Sequence, residues 1–423
     1  MFAKIDINDI KGFRLGNADN QEAGTGCTVI VAEDGATAGV DVRGGGPATR
    51  ETDLLRSENS IQKIHAVVLS GGSAFGLEAG SGVMRELEDR NIGFRLSGNV
   101  IPIVCQASLF DLGVGQSDVR PDRSMGVRAV REAFSMAPIV HGNYGAGTGA
   151  TVGKFYGMNR AMKSGLGTFA CSDGNIQVGA ITAVNAFADV YDGNNNLIAG
   201  LLSADRTRIE GTIRPLKNSI TPGIMDHKAI RTETVFKKKY RPENVSEEAA
   251  NTAYSDKSIV ASDVASTSDS HPGYETEYEP EMEATPEMKS SFYAKDDSET
   301  ANLYDSEEKQ VPNTSADHEG DDMGYDITFN TTISCLITNA KLTKAQCNKL
   351  ASILHDGFAR AIKPVHSTLD GDTIFVMTTG EKEVNFDAFA ALATDIMQFS
   401  IIDGVISAKP AYGFPAACQF FNK

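Results

Sequence analysis

Metal-binding and disulfide-forming motifs are scarce in this chain of 423 residues. None of its six cysteines belongs to a Cys-x-x-Cys pair, and no His-Glu-x-x-His motif occurs. Single cysteines among apolar or small neighbours are typical of buried free thiols, so the sequence argues against a disulfide framework and against a zinc site. His355 and His366 are too isolated to specify a ligand set. We therefore expect no metal and no cofactor.

Long apolar runs are also absent. No stretch of about 18 consecutive apolar residues occurs, which argues against a membrane-spanning helix. The first residues, Met1–Asp6, lack the apolar run of a signal peptide. We therefore expect a cytoplasmic protein without a membrane partner.

An excess of positive charge is missing as well. The chain has 39 Lys and Arg residues against 56 Asp and Glu residues, a formal net charge of −17. The whole imbalance lies in Arg241–Asp322, where 82 residues hold 22 acidic and 5 basic side chains, so the rest of the chain is neutral. Neither part has the basic surface that binds nucleic acid, and the acidic part would repel phosphates. We therefore expect no nucleic-acid partner.

The acidic segment Arg241–Asp322 is rich in Glu, Asp, Ser and Thr and has no helical or alternating apolar period. Such a segment cannot bury enough apolar surface to offset its ordering entropy, so its composition predicts a disordered insertion. One interpretation is a solvated spacer. The other is a regulatory or partner-binding region that uses Tyr274, Tyr278 and Tyr304 among the acids.

The remaining sequence predicts a mixed α and β structure, because short β-rich runs alternate with glycine-rich turns and amphipathic segments. Thr343 and Gln346 have the spacing of a helix capping box. Interleaved strands and helices favour packed layers of sheet and helix. The predicted strands are Cys27–Ala32, Ala66–Leu69, Gly179–Asn185, Thr331–Thr338 and Thr373–Thr378, and the predicted helices are Gly80–Asp89, Thr343 to about Ile362 and Asn385 to about Ile402.

Two glycine clusters resemble catalytic or nucleotide-binding motifs without matching them. In the stretch from Gly145 to Lys154, a P-loop would need glycine at position 148 and serine or threonine at 155, which are Thr148 and Phe155. The stretch Gly71–Phe75 resembles a nucleophile elbow but ends in phenylalanine where glycine is required. These glycines therefore indicate tight turns and close backbone approach.

The junction between the acidic segment and the next predicted strand, Asn330-Thr331, suggests self-cleavage. A cut before Thr331 would leave its hydroxyl and a new α-amine together at a strand end. The hydroxyl would attack the Asn330 carbonyl to form an ester, water would cleave the ester, and the freed amine, with a reference pKa of about 8, could then act as the base for the hydroxyl. By spacing alone, an ordinary strand start remains the alternative.

Several ordered motifs resemble one known family. They are Asn17-Ala18, Glu22–Ile30, Gly39–Thr52, Leu69–Leu77, Asn330–Ile333 and His366–Phe375. Together they resemble the P1 peptidases, the family of L-aminopeptidase/D-esterases, β-peptidyl aminopeptidases and the nylon-oligomer hydrolase. The resemblance covers nearly the whole chain except the acidic segment.

The resemblance implies an α/β fold, an αββα layered sandwich of the type shared with ornithine acetyltransferase, in an enzyme that cleaves itself. The cut between Asn330 and Thr331 would leave chains of 330 and 93 residues. The implied organisation is an α-chain core at 1–240, the disordered insertion at 241–322, a pre-cleavage segment at 323–330, and a β chain at 331–423 that belongs to the same domain. A homotetramer of αβ units is also implied.

The resemblance also implies a set of site residues. Thr331 matches the nucleophile, Asn185 the oxyanion-hole asparagine and Lys154 an active-site lysine, while Asp370 and Asp372 match an acidic pair. As bare residues, Lys154 would be a solvated loop lysine and the two aspartates would be turn acids.

One position departs from the nylon-oligomer hydrolase. Phe110 stands where that enzyme has a tyrosine proposed to assist the oxyanion hole, and phenylalanine has no donor, so Tyr144 in a nearby turn is a candidate substitute. His355 and His366 could belong to a triad with an aspartate, but packing and hydrogen bonding is the interpretation that we prefer.

The expected function is hydrolysis of small peptides or amino-acid amides at an N-terminal amide bond. Two alternatives stay open. One is acyl transfer of the ornithine acetyltransferase type, in which an amine replaces water. The other is a non-catalytic scaffold whose acidic segment binds partners.

Overall fold

The computed structural model of the protein describes residues 2–135, 137–220 and 330–421. The disordered insertion predicted at Arg241–Asp322 lies outside these ranges, and so does the pre-cleavage segment except for Asn330. The described residues form strands and helices in alternation, and five of the six cysteines are buried while Cys418 is half-buried.

Each predicted strand and helix has a counterpart in the structure, and most boundaries are shifted by a few residues. The strand predicted to end at Ala32 is the exception, because it continues to Val42. The predicted helices correspond to the first, fourth and fifth helices of the described chain. The α-helices are α1 (Glu78–Asp89), α2 (Arg123–Ser135), α3 (Ile213–Asn218), α4 (Lys344–Ala361), α5 (Phe386–Ile406) and α6 (Cys418–Phe421). The strands are β1 (Ala3–Ile5), β2 (Arg14–Asn20), β3 (Thr25–Val42), β4 (Ala48–Arg50), β5 (Ile64–Ser70), β6 (Phe94–Leu96), β7 (Asn99–Ile101), β8 (Val104–Ser108), β9 (Thr151–Val152), β10 (Met162–Lys163), β11 (Leu166–Ser172), β12 (Gln177–Ala183), β13 (Asp189–Tyr191), β14 (Leu197–Ala199), β15 (Ile333–Ala340), β16 (Ile362–Lys363) and β17 (Thr373–Lys382).

The largest sheet is continuous through one long strand, β3. The strand order is β1-β11-β12-β15-β17-β3-β5-β8-β4, and β2 also pairs with β3. The N-terminal part of β3 pairs with β5 from Cys27 to Val31, and its C-terminal part pairs with β17 from Thr37 to Val42. Because the register shifts between these two parts, β3 can pass from one half of the sheet to the other.

Three clusters of buried apolar side chains separate four layers. One cluster fills the space between the two halves of the sheet, the second lies under α4 and α5, and the third lies under α1 and α2. Alternate residues of β15 show the division: Cys335 and Ile337 belong to the cluster between the sheet halves, whereas Leu336 belongs to the cluster under α4 and α5. The layers are therefore α, β, β and α, which confirms the predicted fold class.

The strand β15 lies at the centre of this arrangement. It pairs antiparallel with β12 on one side and parallel with β17 on the other, and all eight of its residues are buried. A strand buried on both faces reads as a nearly continuous apolar run, which is why Ile333–Thr338 was recognisable in the sequence. The N-terminal end of β15 is thus held by strands from both sides.

The helix α5 is the most apolar helix in the described part of the chain. It has 21 residues and contains an 18-residue stretch with a mean hydropathy of 1.5, so by length and composition it could cross a membrane. However, 56% of its most apolar stretch is buried inside the protein, and Phe389, Ile396 and Ile401 pack on the sheet. The contacts are those of a core helix.

The helix α4 begins at the capping box predicted from the sequence. The Thr343 hydroxyl accepts from the Gln346 backbone N–H at 3.2 Å, and the Gln346 side-chain oxygen accepts from the Thr343 backbone N–H at 2.9 Å. Two backbone donors that have no partner within the helix are therefore satisfied.

We expect Thr343→Ala to lower the free energy of unfolding by about 1 kcal/mol, because it removes the acceptor for the Gln346 N–H. Urea denaturation followed by circular dichroism measures this change. Thr343→Ser, which keeps the hydroxyl, is the matched control and should stay close to the wild-type value. Equal stability of the alanine variant and the wild type would contradict a contribution from the cap.

Candidate active site

The residues on both sides of the predicted cleavage site, Asn330 and Thr331, are buried immediately before β15. The Asn330 N–H donates to the Leu369 carbonyl at 2.9 Å, and the Thr331 N–H donates to the Asn185 carbonyl at 2.9 Å. The two residues are thus held by backbone hydrogen bonds to two different segments, and the Thr331 N–H bond holds the peptide group between them.

Thr331 also has an unusual backbone conformation. Its φ is 155°, a region that threonine rarely adopts because its branched Cβ crowds the backbone. Unfavourable conformations of this kind cost roughly 1–3 kcal/mol and persist only where the surroundings impose them. The strain lies on the residue that follows the predicted cleavage site.

Asn185 and Lys154 form one hydrogen-bonded unit beside Thr331. The Lys154 ammonium nitrogen Nζ lies 2.7 Å from Asn185 Oδ1 and 3.3 Å from the Asn185 carbonyl oxygen, which also accepts the Thr331 N–H. Asn185 Oδ1 accepts a second bond from the Thr151 N–H at 3.0 Å, and Asn185 Nδ2 donates to the Phe110 carbonyl at 2.9 Å. The orientation of the Asn185 amide is therefore set by contacts at both ends.

Lys154 is buried rather than a solvated loop lysine. Burial lowers the pKa of Lys154 to about 7, against the opposing attraction of the Asp370 and Asp111 carboxylates. A neutral amine has two N–H groups, which Asn185 can accept, and one lone pair. Near neutral pH, Lys154 can therefore accept a proton.

Asp370 and Asp372 lie on the loop before β17, and their carboxylates have different partners. Asp372 Oδ1 accepts the Thr332 N–H at 2.8 Å, and Asp372 Oδ2 accepts from His366. Asp370 Oδ1 accepts the Phe187 N–H at 3.2 Å. Burial, and next to it repulsion from the Asp372 carboxylate, raises the pKa of Asp370 to about 6.

A glycine turn forms the wall next to the Thr331 hydroxyl. A Cβ atom placed on Gly371 would lie 2.6 Å from Thr331 Oγ1 and 2.6 Å from the Gly46 carbonyl oxygen. Gly46 belongs to a glycine-rich loop that is tied to the same turn, because the Gly46 N–H donates to the Asp370 carbonyl at 2.8 Å and the Arg43 N–H to the Asp372 carbonyl at 2.9 Å. There is no room for a side chain at position 371.

The structure therefore brings together all five residues that the sequence singled out: Thr331, Asn185, Lys154, Asp370 and Asp372. Their individual roles stay predictions. Phe110 contributes its backbone carbonyl, which accepts from Asn185. Tyr144, the candidate substitute donor, is 44% exposed, and its role in the oxyanion hole stays a prediction. His355 Nε2 lies 3.2 Å from the Asp41 carbonyl oxygen and His366 Nδ1 lies 2.8 Å from Asp372 Oδ2, and the interpretation of the two histidines stays a prediction.

Two buried charged residues near the site were missed from the sequence. Asp111 accepts from Thr25 Oγ1 and from the Gly72 N–H, both at 2.7 Å, and burial raises its pKa to about 6. Lys163 is fully buried and donates to backbone carbonyls, and burial lowers its pKa to about 7. Asp111 directly follows Phe110, a position that the resemblance already associates with the site, so its neighbourhood could have indicated it. Nothing in the sequence around Lys163 indicates burial.

Metal binding has no support in the described ranges, where no group of three or more His, Cys, Asp or Glu side chains is placed to hold an ion.

Sequence comparisons support the resemblance drawn from the motifs. The sequence model described as peptidase family S58 matches residues 6–417. An uncharacterized aminopeptidase of Mycobacterium leprae (strain TN) is 28% identical over 445 aligned positions, covering 98% of this chain and 94% of its own. A 6-aminohexanoate-oligomer endohydrolase of Kocuria sp. (strain KY2) is 23% identical over 408 positions, covering 93% of this chain and 84% of its own.

Solved structures show a similar fold. The L-aminopeptidase D-Ala-esterase/amidase of Ochrobactrum anthropi, described as a variant of the Ntn-hydrolase fold, superposes with a TM-score of 0.54 at 14% identity, covering 95% of this chain and 86% of its own. The β-aminopeptidase of Burkholderia sp. superposes with a TM-score of 0.51 at 15% identity, with coverages of 95% and 86%. At these identities the likeness concerns the fold.

The space beside Gly371 yields a test of the site. We expect Gly371→Ala to slow self-cleavage at least about tenfold, because its methyl group would displace the Thr331 hydroxyl or the Gly46 loop, and a displacement of about 1 Å can slow a reaction about 100-fold. Denaturing electrophoresis after timed expression measures the cleaved fraction. Gly193→Ala, at a position with nothing within 4 Å of the added Cβ, is the control. Equal cleavage in both variants would show that the contact is unimportant.

Proposed function

Because the chain belongs to peptidase family S58, we propose that this hydrolase of Ntn-type fold cleaves itself between Asn330 and Thr331 and then uses Thr331 as an N-terminal nucleophile on amides. The substrates would be small peptides or amino-acid amides. The observation that carries the proposal is the contact of both the Thr331 N–H and Lys154 Nζ with the carbonyl of Asn185.

Self-cleavage needs a base other than the α-amine, because that amine does not exist before the cut. Lys154 is suited to this role, since its pKa is lowered to about 7 by burial and its nitrogen shares the Asn185 carbonyl with Thr331. In the neutral form its two N–H groups bond to Asn185 and its lone pair is free.

Self-cleavage would proceed through an ester at the Thr331 hydroxyl. Lys154 takes the proton of Thr331 Oγ1, and the oxygen attacks the carbonyl carbon of Asn330. The tetrahedral intermediate collapses when the C–N bond between Asn330 and Thr331 breaks and the Thr331 nitrogen takes the proton back from Lys154. The product is an ester that joins Asn330 to the Thr331 hydroxyl, with a free α-amine on Thr331. Water hydrolyses the ester and regenerates the hydroxyl.

The backbone geometry at Thr331 favours this sequence. A φ of 155° is unfavourable for threonine, and breaking the peptide bond to Asn330 removes that constraint. Part of the strain in the uncleaved chain would thus be released by the reaction. The buried contacts of β15 keep the remaining residues in place while the bond breaks.

Turnover of an external amide would reuse the same atoms. The new α-amine of Thr331 would act as the base for its own hydroxyl, and the Asn185 carboxamide, held by Lys154 and Phe110, would stabilise the negative oxygen of the intermediate. Asp372 would keep the Thr332 N–H, and so the nucleophile, in place. The relatives named for aminopeptidase and 6-aminohexanoate-oligomer hydrolysis support amide bonds as the substrate class.

The direct test is the mass of the purified protein. We expect the wild type to yield two chains, of 330 and 93 residues, and Thr331→Ala to yield a single chain of 423 residues because it has no nucleophile. Thr331→Ser, which keeps a hydroxyl, should still be cleaved. Intact-mass spectrometry and N-terminal sequencing identify the cut. A wild type that stays whole, or a cut at another bond, would refute the proposal.

The lowered pKa of Lys154 predicts the pH dependence of self-cleavage. Below pH 7 the amine is protonated and cannot accept the Thr331 proton, so the rate should rise about tenfold per pH unit below that value and level off above it. Cell-free translation into buffers from pH 5.5 to 8.5, with chain ratios read by electrophoresis, provides the profile.

Lys154→Arg should cleave very slowly at every pH, because arginine stays charged. Lys344→Arg is the matched control, since Lys344 also donates to backbone carbonyls but does so at Leu54, Asn59 and Ile61. A cleavage rate that is constant from pH 5.5 to 8.5 would exclude Lys154 as the base.

A further inference from the structure

His366 makes two contacts with Asp372 that the proposed reaction does not yet use. The His366 backbone N–H donates to Asp372 Oδ2 at 3.2 Å, and His366 Nδ1 lies 2.8 Å from the same oxygen. The other oxygen of Asp372 accepts the Thr332 N–H at 2.8 Å. One carboxylate therefore connects the imidazole ring to the first peptide group after the nucleophile.

The surroundings of the ring determine which nitrogen carries the proton. His366 Nε2 is buried and has no hydrogen-bond partner among the described residues. A proton on Nε2 alone would leave a buried donor without an acceptor, and it would leave the His366 backbone N–H as the only donor from this residue to Asp372 Oδ2. The proton therefore belongs on Nδ1, from which it is donated to Asp372.

The ring is also held against rotation. It stacks on Phe358 with the ring centroids 6.2 Å apart and an angle of 25° between the planes, and the ring of His355 meets it edge-on at 4.6 Å. Phe358 and His355 both lie on α4, the helix that packs under β3 and β17. The packing of α4 thus fixes the orientation of the His366 ring, and the ring in turn fixes the orientation of the Asp372 carboxylate. The carboxylate then holds the Thr332 N–H in position.

We propose that His366 is a positioning residue for the nucleophile, acting through Asp372 to fix the peptide group that joins Thr331 to Thr332. Without the imidazole donor, Asp372 Oδ2 would keep only the longer bond from the backbone N–H of residue 366, at 3.2 Å. The carboxylate would then be held less firmly against rotation about its Cβ–Cγ bond, and its contact with the Thr332 N–H would weaken. The Thr331 hydroxyl would then spend less time aligned with the bond under attack. The inference rests on the proposed function, because it assigns His366 a role in that reaction.

Two substitutions separate hydrogen bonding from packing. His366→Asn keeps an N–H donor close to the position of Nδ1 but removes most of the ring. His366→Phe keeps a ring to stack on Phe358 but has no donor. If the hydrogen bond matters, the phenylalanine variant should cleave itself about 10- to 100-fold more slowly than the wild type, and the asparagine variant should stay within about threefold.

His141 offers a matched control elsewhere in the fold. Its Nδ1 lies 2.6 Å from Asp403 Oδ2 on α5, so it forms the same type of pair with an aspartate that does not contact Thr331 or Thr332. His141→Phe should leave the rate of self-cleavage unchanged. Thermal unfolding of every variant identifies any that fail to fold.

A double substitution tests whether His366 acts through Asp372. Asp372→Asn should slow self-cleavage, and adding His366→Phe to it should cause little further loss, because the contact that the histidine supports is already impaired. In enzyme that has been allowed to complete cleavage, His366→Phe should lower kcat on an aminoacyl p-nitroanilide and leave KM nearly unchanged, since the residue does not contact substrate.

The outcomes are distinct. Fast cleavage by His366→Phe, or equally slow cleavage by the asparagine and phenylalanine variants, would overturn the positioning role while leaving the proposed function intact. The role would also be overturned if the double variant slows self-cleavage by the product of the two single-variant factors, because this is the result expected for independent contributions. If His366→Phe does not fold, His366→Leu takes its place, because leucine also lacks a donor. Slow self-cleavage by a folded His366→Leu, together with a nearly wild-type rate in His366→Asn, would support the positioning role. Equal rates of self-cleavage in these two variants would refute it. If the wild type is never cleaved, the proposed function itself is refuted, and the wild type and all variants remain single chains.

Discussion

The pairing of β15 with its two neighbours is the constraint on which the site depends. In the antiparallel pair Ala183 faces Ile333, so two positions further on Asn185 arrives beside Thr331. In the parallel pair Ile333 faces Thr373, so Asp372 arrives beside Thr332. A shift of one residue in either register would turn these side chains to the opposite face of the sheet. The register is itself set by the alternation of apolar side chains, which must fill one core between the sheet halves and another under α4 and α5.

Burial shifts the pKa values of the charged residues at and near the site. Burial lowers the pKa values of Lys154 and Lys163 and raises those of Asp111 and Asp370, so each group is shifted toward its neutral form. Such burial reduces the stability of a fold unless hydrogen bonds compensate, and here the backbone supplies most of them. The result is a lysine that can act as a base near neutral pH, which an exposed lysine cannot do.

The scaffold matches the precision that such a reaction needs. Thr331, the proposed nucleophile, lies just before the fully buried strand β15, and the glycine turn beside it is connected by backbone hydrogen bonds to a second glycine-rich loop. Groups placed on strands and short, bonded turns keep their geometry better than groups on long loops. The residues around Thr331 are thus supported by the same packing that stabilises the four layers.

Much of this protein can be predicted from the sequence alone, because the signals are local. The strands around Val67 and Val376, the helix α4 with its Thr343 cap, and the separation of the acidic charge all depend on residues close together in the chain. The five site residues came from the resemblance, since spacing alone made Lys154 a surface lysine and Asp370 a turn acid. The pairing of His366 with Asp372, the burial of Lys163 and the closeness of Gly371 to the Thr331 hydroxyl were decided only by the tertiary structure. These features arise where segments distant in sequence meet across β12, β15 and β17, and no local pattern records which side chains will share that space.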